Sequence, residues 1–230
     1  RMGRRGLVEA NARIIKDIAR SVVSRNPSAR YVVVTNPVDA MATFFQRASK
    51  ADYVISSGCH LDTLRLRAEV ARQLKVPVGH VEGFVAGEHG DNDVYLWSTV
   101  KVNEESFDAY LKKTLLDVSK ENIVRAVHEH TEDILELLGG TMFGPATAFR
   151  EIVRTIALDI HRVLSVGIPY QTAETPEPVH ISIPSTLGMS IGPAIEGRLA
   201  LEERRGLREA AKAVYTTYRI ACETSGFESS

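Results

Sequence analysis

The chain has 230 residues, 44% of them hydrophobic and 25% charged, with 28 Lys and Arg set against 29 Asp and Glu. This composition excludes a disordered tail, a collagen-like repeat and a disulfide-stapled miniprotein, and a net charge of -1 lacks the basic footprint of a general nucleic-acid binder. Two cysteines, Cys59 and Cys222, are too few for a disulfide framework and point to a reducing, cytoplasmic setting.

No apolar run reaches the roughly 20 residues that a membrane-spanning helix needs. The basic opening Arg1-Met2-Gly3-Arg4-Arg5 is not followed by the apolar stretch of a signal peptide. Residues 7–25 place apolar side chains at helical spacing, and Asn26-Pro27-Ser28 ends that pattern. Tyr31 to Val34 is a short β-branched run of the kind found in buried parallel strands. After Thr35-Asn36-Pro37 the pattern predicts a helix over 38–48, with Pro37 tolerated in its first turn. A second short strand is expected over 51–55 and a helix over 61–75. Helix, strand, helix, strand, helix implies βαβ units and a parallel sheet.

After Pro77 the character changes. Strands are expected over 79–86 and 93–103 around the turn-rich Gly-Glu-His-Gly-Asp-Asn-Asp. Helices follow over roughly 119–138 and 144–164, broken by Gly139-Gly140. Segments 165–173, 178–185 and 189–197 read as an antiparallel meander, and residues 201–225 as a closing amphipathic helix. The helices at 7–25 and 201–225 could supply apolar faces for contacts between subunits. A domain boundary is expected near 58–78, dividing the chain into 1–58 and 59–230.

Several residues have the chemistry of a site. His89 lies between glycines, which let the backbone turn sharply and present an imidazole suited to proton transfer near neutral pH. Asp62 and Arg65, at i and i+3, share one helix face at the start of a helix that follows a strand. Asn36 comes directly after a strand, and ligands of open α/β folds gather at such carboxyl ends. Taken singly, each has an ordinary alternative: a solvated turn, a surface ion pair, a helix N-cap.

Three segments taken together carry a resemblance: Thr35-Asn36-Pro37-Val38-Asp39, then Gly58-Cys59-His60-Leu61-Asp62-Thr63-Leu64-Arg65-Leu66-Arg67, then Gly87-Glu88-His89-Gly90-Asp91. In order and spacing they resemble the malate and L-lactate dehydrogenase family. Met2 to Asn11 resembles that family's catalytic loop and the helix after it. Gly140 to Ala146 resembles its substrate-pocket helix in the form used by archaeal-type malate dehydrogenases.

The resemblance implies an α/β fold: an incomplete Rossmann-type parallel sheet, followed by an α+β substrate domain with antiparallel strands. It implies His89 as general acid/base, Asp62 as its partner, Arg65 as the fork that grips a substrate carboxylate, and Arg4 as the mobile-loop residue that polarises the ketone. Asn36 and Thr141 would also meet substrate, and Asn11, Val34, Asn36 and Pro145 would lie along the cofactor. The implied reaction is hydride transfer between NAD, with NADP left open, and a small 2-hydroxy acid. Malate is favoured over lactate. The implied partners are that small acid and further copies of the chain in a homodimer or homotetramer, with no nucleic acid, membrane or metal.

The sequence also departs from the family. It contains no G-x-G-x-x-G turn for the dinucleotide pyrophosphate and no acidic residue to read the adenosine ribose. The chain is therefore expected to begin inside the catalytic loop, with the position that separates malate from lactate lying before Arg1, and these 230 residues to bind NAD weakly. Leu64 stands where a small residue is usual. A lactate dehydrogenase and a non-catalytic oligomerisation subunit remain the competing readings. A metal-dependent, NAD-using glycosidase has only Cys59 and His60 to support it.

Overall fold

A computed structural model describes residues 4–227, with side chains from residue 6 onward. The opening helix α1 (Arg4–Val23) and a short strand β1 (Tyr31–Val33) are followed by α2 (Val38–Ser49), β2 (Val54–Ser56) and α3 (His60–Leu74). β1 and β2 are parallel, with Tyr31 opposite Val54 and Val33 opposite Ser56, as the alternation of helices and strands predicts.

Beyond α3 the strands turn antiparallel. β3 (Val81–Gly87) and β4 (Asp93–Val102) form a hairpin with a register shift between Glu82 and Phe84. After a two-residue strand β5 (Glu105–Ser106) come α4 (Phe107–Thr114), α5 (Lys120–Leu138) and α6 (Phe143–Ala157). The meander consists of β6 (Arg162–Tyr170), β7 (Val179–Leu187) and β8 (Ile191–Ala194), and α7 (Leu201–Ser225) closes the chain. β6 and β7 pair along their whole length, from Arg162 opposite Leu187 to Tyr170 opposite Val179.

All eight strands belong to one mixed sheet, in the order β1-β2-β6-β7-β3-β4-β5 with β8 on β7. The parallel part joins the antiparallel part where Ser56 of β2 pairs with Gly167 of β6. α1, α2 and α7 share one core with β7, in which Met41, Phe44, Val214 and Tyr218 are buried. A second core lies between α3, α5 and the β3–β4 hairpin around Leu66, Leu96's neighbour Tyr95, Phe107 and Ile123. A third lies between α6 and β6, around Ile152, Leu164 and Val166.

Two expectations are corrected. The helix read over 144–164 ends at Ala157: Asp159 and His161 take left-handed φ values of 49° and 57°, and the chain then enters β6. The apolar face of α7 is internal, because Leu207, Val214 and Tyr218 lie in the core of their own chain. α1 leaves Ile14 and Ile18 exposed at 56% and 43%.

Candidate functional site

The site gathers at the carboxyl ends of β1 and β2, where open α/β sheets bind ligands. Val34 and Asn36 follow β1, while Ser57 and Gly58 follow β2. Gly58 has a φ of +49°, and a Cβ there would stand 2.1 Å from Ser182 Oγ and 2.7 Å from the Gly167 nitrogen. Only glycine lets the chain pass so close to β6 and β7 before it starts α3. The backbone N–H of Cys59 donates to Ser182 Oγ at 2.8 Å, which fixes the entry to the helix.

α3 then supplies two charged side chains from one face. His89 comes from the loop between β3 and β4. Gly87, with a φ of +86°, leads into that loop, and a Cβ there would meet the Asn92 carbonyl oxygen at 2.6 Å. Nδ1 of His89 lies 2.6 Å from Asp62 Oδ2, and Arg65 Nη1 donates to Asp62 Oδ1 at 3.3 Å. With Nδ1–H donated to Asp62, Nε2 is the ring position left for proton exchange.

The electrostatics favour the ion pair. Burial alone would raise the Asp62 carboxyl, but the hydrogen bond and charge of His89, aided by Arg65, hold it below its ordinary value. Burial alone would lower the His89 imidazole. The hydrogen bond and charge of Asp62, with the charge of Asp39 added, raise it above its ordinary value despite opposition from Arg65.

A cavity of about 420 Å3 opens over this pair. Val34, Asn36, Arg65, His89, Thr141 and Pro145 all line it, so six of the residues singled out in the sequence converge on one space. Asp62 stands behind His89. Asn11 on α1 donates through Nδ2 to the Asn36 carbonyl oxygen at 2.6 Å and so braces the turn after β1. The side chain of Arg4 lies outside the described residues. Asn36 is not the N-cap of α2: Pro37 occupies that position and makes no side-chain cap bond.

Sequence reasoning missed part of the wall. Leu61, Thr131, Leu135, Ala148 and Phe149 also line the cavity, from α3, α5 and α6. Their apolar spacing marks helix faces, but nothing in it distinguishes a face turned to a cavity from one turned to the core. A polar tie was also missed. His60 Nε2 lies 2.9 Å from Glu151 Oε2, and Glu151 pairs in turn with Arg162, so α3 is fastened to α6 and β6.

A family profile for the lactate/malate dehydrogenase alpha/beta C-terminal domain matches residues 59–218, and the profile for that family's NAD binding domain matches residues 2–54. The chain belongs to the lactate/malate dehydrogenase family. A malate dehydrogenase of Sulfurisphaera tokodaii is 41% identical over 218 residues, covering 95% of this chain and 68% of that protein. One from Sulfolobus acidocaldarius is 36% identical, covering 95% and 69%. An L-lactate dehydrogenase of Thermus aquaticus is 31% identical, covering 90% and 68%. Among solved structures, a lactate dehydrogenase enzyme from a Medee basin deep-sea metagenome library superimposes with a TM-score of 0.86 at 24% identity, over 96% of this chain and 72% of that one. At that identity the likeness concerns the fold.

Membership makes the chain an NAD-dependent oxidoreductase by family. The residues present fit the nicotinamide end of such a cofactor: Val34, Asn36, Thr141 and Pro145 border the same cavity as His89. No glycine-rich turn of the G-x-G-x-x-G form occurs in these 230 residues to cradle a pyrophosphate.

Proposed function

We propose that the protein interconverts a small 2-hydroxy acid and its 2-keto acid, with malate and oxaloacetate the preferred pair. The observation that carries this reading is the 2.6 Å contact between Asp62 and His89, with His89 and Arg65 both on the wall of one cavity. A bound nicotinamide would supply or accept the hydride. The protein's own groups do the rest. In reduction, His89 Nε2 delivers a proton to the forming alkoxide; in oxidation it removes the hydroxyl proton. The Asp62 carboxylate keeps the imidazolium favourable and the ring oriented. Arg65 presents a planar fork to the substrate carboxylate, which sets the reacting carbon relative to His89. On this reading Arg4 polarises the ketone and Thr141 lies against the substrate, the roles that the resemblance of their segments implies. Asn11, Val34, Asn36 and Pro145 serve the cofactor side.

Malate is preferred because the malate dehydrogenase relatives, at 41% and 36%, are more similar than the Thermus aquaticus lactate dehydrogenase at 31%. That chemistry belongs to the tricarboxylic acid cycle. An apolar groove beside the site, with Leu64, Ala68, Ile134, Leu138, Met142 and Phe143 in its wall, supports a homodimer or homotetramer, since Phe143 is 78% exposed. Cys59 and Cys222 are free thiols, which supports a cytoplasmic setting. The division into a cofactor part, 1–58, and a substrate part, 59–230, is supported by the family profiles meeting between residues 54 and 59.

The test is NADH oxidation by the enzyme with oxaloacetate and pyruvate in parallel. Oxaloacetate should be reduced faster, and His89→Asn should lower kcat about 10²–10⁴-fold for either acid. A His89→Asn enzyme that kept most of its kcat would remove the proton-transfer assignment.

A further inference from the structure

The Thr35-Asn36-Pro37-Val38-Asp39 segment contains one carboxylate to which the reaction above gives no task. Asp39 is on the first turn of α2 and only 1% exposed. Its Oδ1 accepts from Ser56 Oγ on β2 at 2.5 Å, and its Oδ2 accepts from the backbone N–H of His89 at 2.8 Å. The space is tight: a Cβ on Gly167 would lie 2.0 Å from Ser56 Oγ and 2.6 Å from Asp39 Oδ1. A buried carboxylate is costly unless its oxygens are matched by donors, and here both are.

We propose that Asp39 is a positioning residue for His89: anchored to β2 through Ser56, it grips the backbone of the β3–β4 loop and sets the place and charge of the imidazole. His89 is then held from two sides. Asp62 on α3 fixes the ring, and Asp39 on α2 fixes the backbone that carries it. The two carboxylates come from different helices, α2 and α3, and the Asp39 contact ties the element after β1 to the proton-transfer loop.

The charged and titratable groups facing Asp39 are His89 and Glu88 of the loop and the buried Cys59 thiol at the start of α3. Burial pushes the Asp39 carboxyl up to about 6, against the pull of the Ser56 and His89 hydrogen bonds. Its negative charge in turn favours the imidazolium.

The inference rests on the reading of His89 as proton carrier, so the experiment includes a readout that does not require turnover. In the full-length enzyme, Asp39→Asn keeps the shape and an acceptor but removes the charge. NMR titration of the His89 ring, identified by the signal lost in His89→Asn, should show its pKa falling by about one unit. kcat should fall about tenfold while KM for the keto acid changes by less than about threefold. Ser56→Ala, which releases only the anchor, should move both in the same direction by less. It decides the matter alone if Asp39→Asn does not fold. A purely structural Asp39 would lower Tm and leave the ring titration unmoved; an unshifted titration with unchanged kcat overturns the proposal. If His89→Asn retains kcat, the proton-carrier reading fails, while the titration still decides whether Asp39 controls His89.

Discussion

His89 and Arg65 meet on the same carboxylate. Asp62 gives Oδ2 to the imidazole at 2.6 Å and Oδ1 to the guanidinium at 3.3 Å, so the residues proposed above as proton carrier and substrate grip share one orienting group. The i,i+3 spacing on α3 puts Asp62 and Arg65 on one face, and the β3–β4 loop brings His89 to them. Removing that charge should therefore disturb two functions together. Asp62→Asn is expected to lower kcat about 10²–10⁴-fold. It should also move the inflection of the kcat–pH profile to lower pH, because the imidazolium loses its main support. KM for the keto acid should rise as Arg65 loses its partner. A profile with an unmoved inflection would separate Asp62 from His89.

Buried titratable groups, in the site and away from it, predict how stability depends on pH. His180 is buried in β7, with Nε2 donating to the Val54 carbonyl oxygen at 3.1 Å, and burial lowers its pKa to about 4 from an ordinary 6.5. The unfolded chain then binds the proton first, so stability is lost as the pH falls from 6.5 towards 4, by about 3 kcal/mol. Asp39 acts in the opposite sense: its carboxyl is raised to about 6, so protonation favours the folded state as the pH falls through 6 towards 3.8. His89, raised above 6.5, contributes stability that is present below 6.5 and lost as the pH climbs through its folded value. Asp62, lowered below 3.8, contributes stability present above 3.8 and lost as the pH drops through its folded value. Urea midpoints at pH 7 and pH 4.5 check the largest of these effects. His180→Phe should shrink the difference between the two midpoints, and an undiminished difference would assign the acid sensitivity elsewhere.

Much of the site was legible in the sequence, because its residues sit at element ends that Gly, Pro and spacing mark. Asn36 after β1, Asp62 and Arg65 in the first turns of α3, and His89 behind Gly87 all fall where these signals put them. The sheet was less legible. That β2 would join β6, through Ser56 and Gly167, depends on the pairing of residues more than 100 positions apart, and no local pattern encodes it. The end of α6 was hidden for another reason: Asp159 and His161 take left-handed conformations without a glycine or proline to announce them. α4 was missed although Ser106 caps it by accepting from the Ala109 N–H at 3.4 Å, because eight residues give only a brief helical period.

The junction of the two parts of the sheet is tight enough to test by adding one methyl group. Gly167 has no room for a Cβ, which would approach Ser56 Oγ to 2.0 Å and Asp39 Oδ1 to 2.6 Å. Gly167→Ala should destabilise the fold by about 1–3 kcal/mol through overpacking, measured by urea unfolding. Ser56→Ala in the same background should return part of that loss, since it removes the nearest obstacle. Additive effects of the two substitutions would show that the methyl group is accommodated elsewhere.

Arg65 provides the sharpest test of how the substrate lies in the cavity. Every 2-keto acid offers a carboxylate beside the reacting carbon, and on the proposed reading Arg65, one turn from Asp62 and on the cavity wall, takes it through two parallel N–H groups. Arg65→Lys keeps the charge but loses the fork. KM should rise for oxaloacetate and pyruvate alike, at a cost of about 1.5–3 kcal/mol in kcat/KM. The preference between the two acids should hardly change, because they differ only at the far end of the molecule. Parallel kinetics with both acids measure this directly. If Arg65→Lys changed the preference by orders of magnitude while KM for pyruvate stayed put, Arg65 would be reading the distal group, and the substrate would lie in the cavity the other way round.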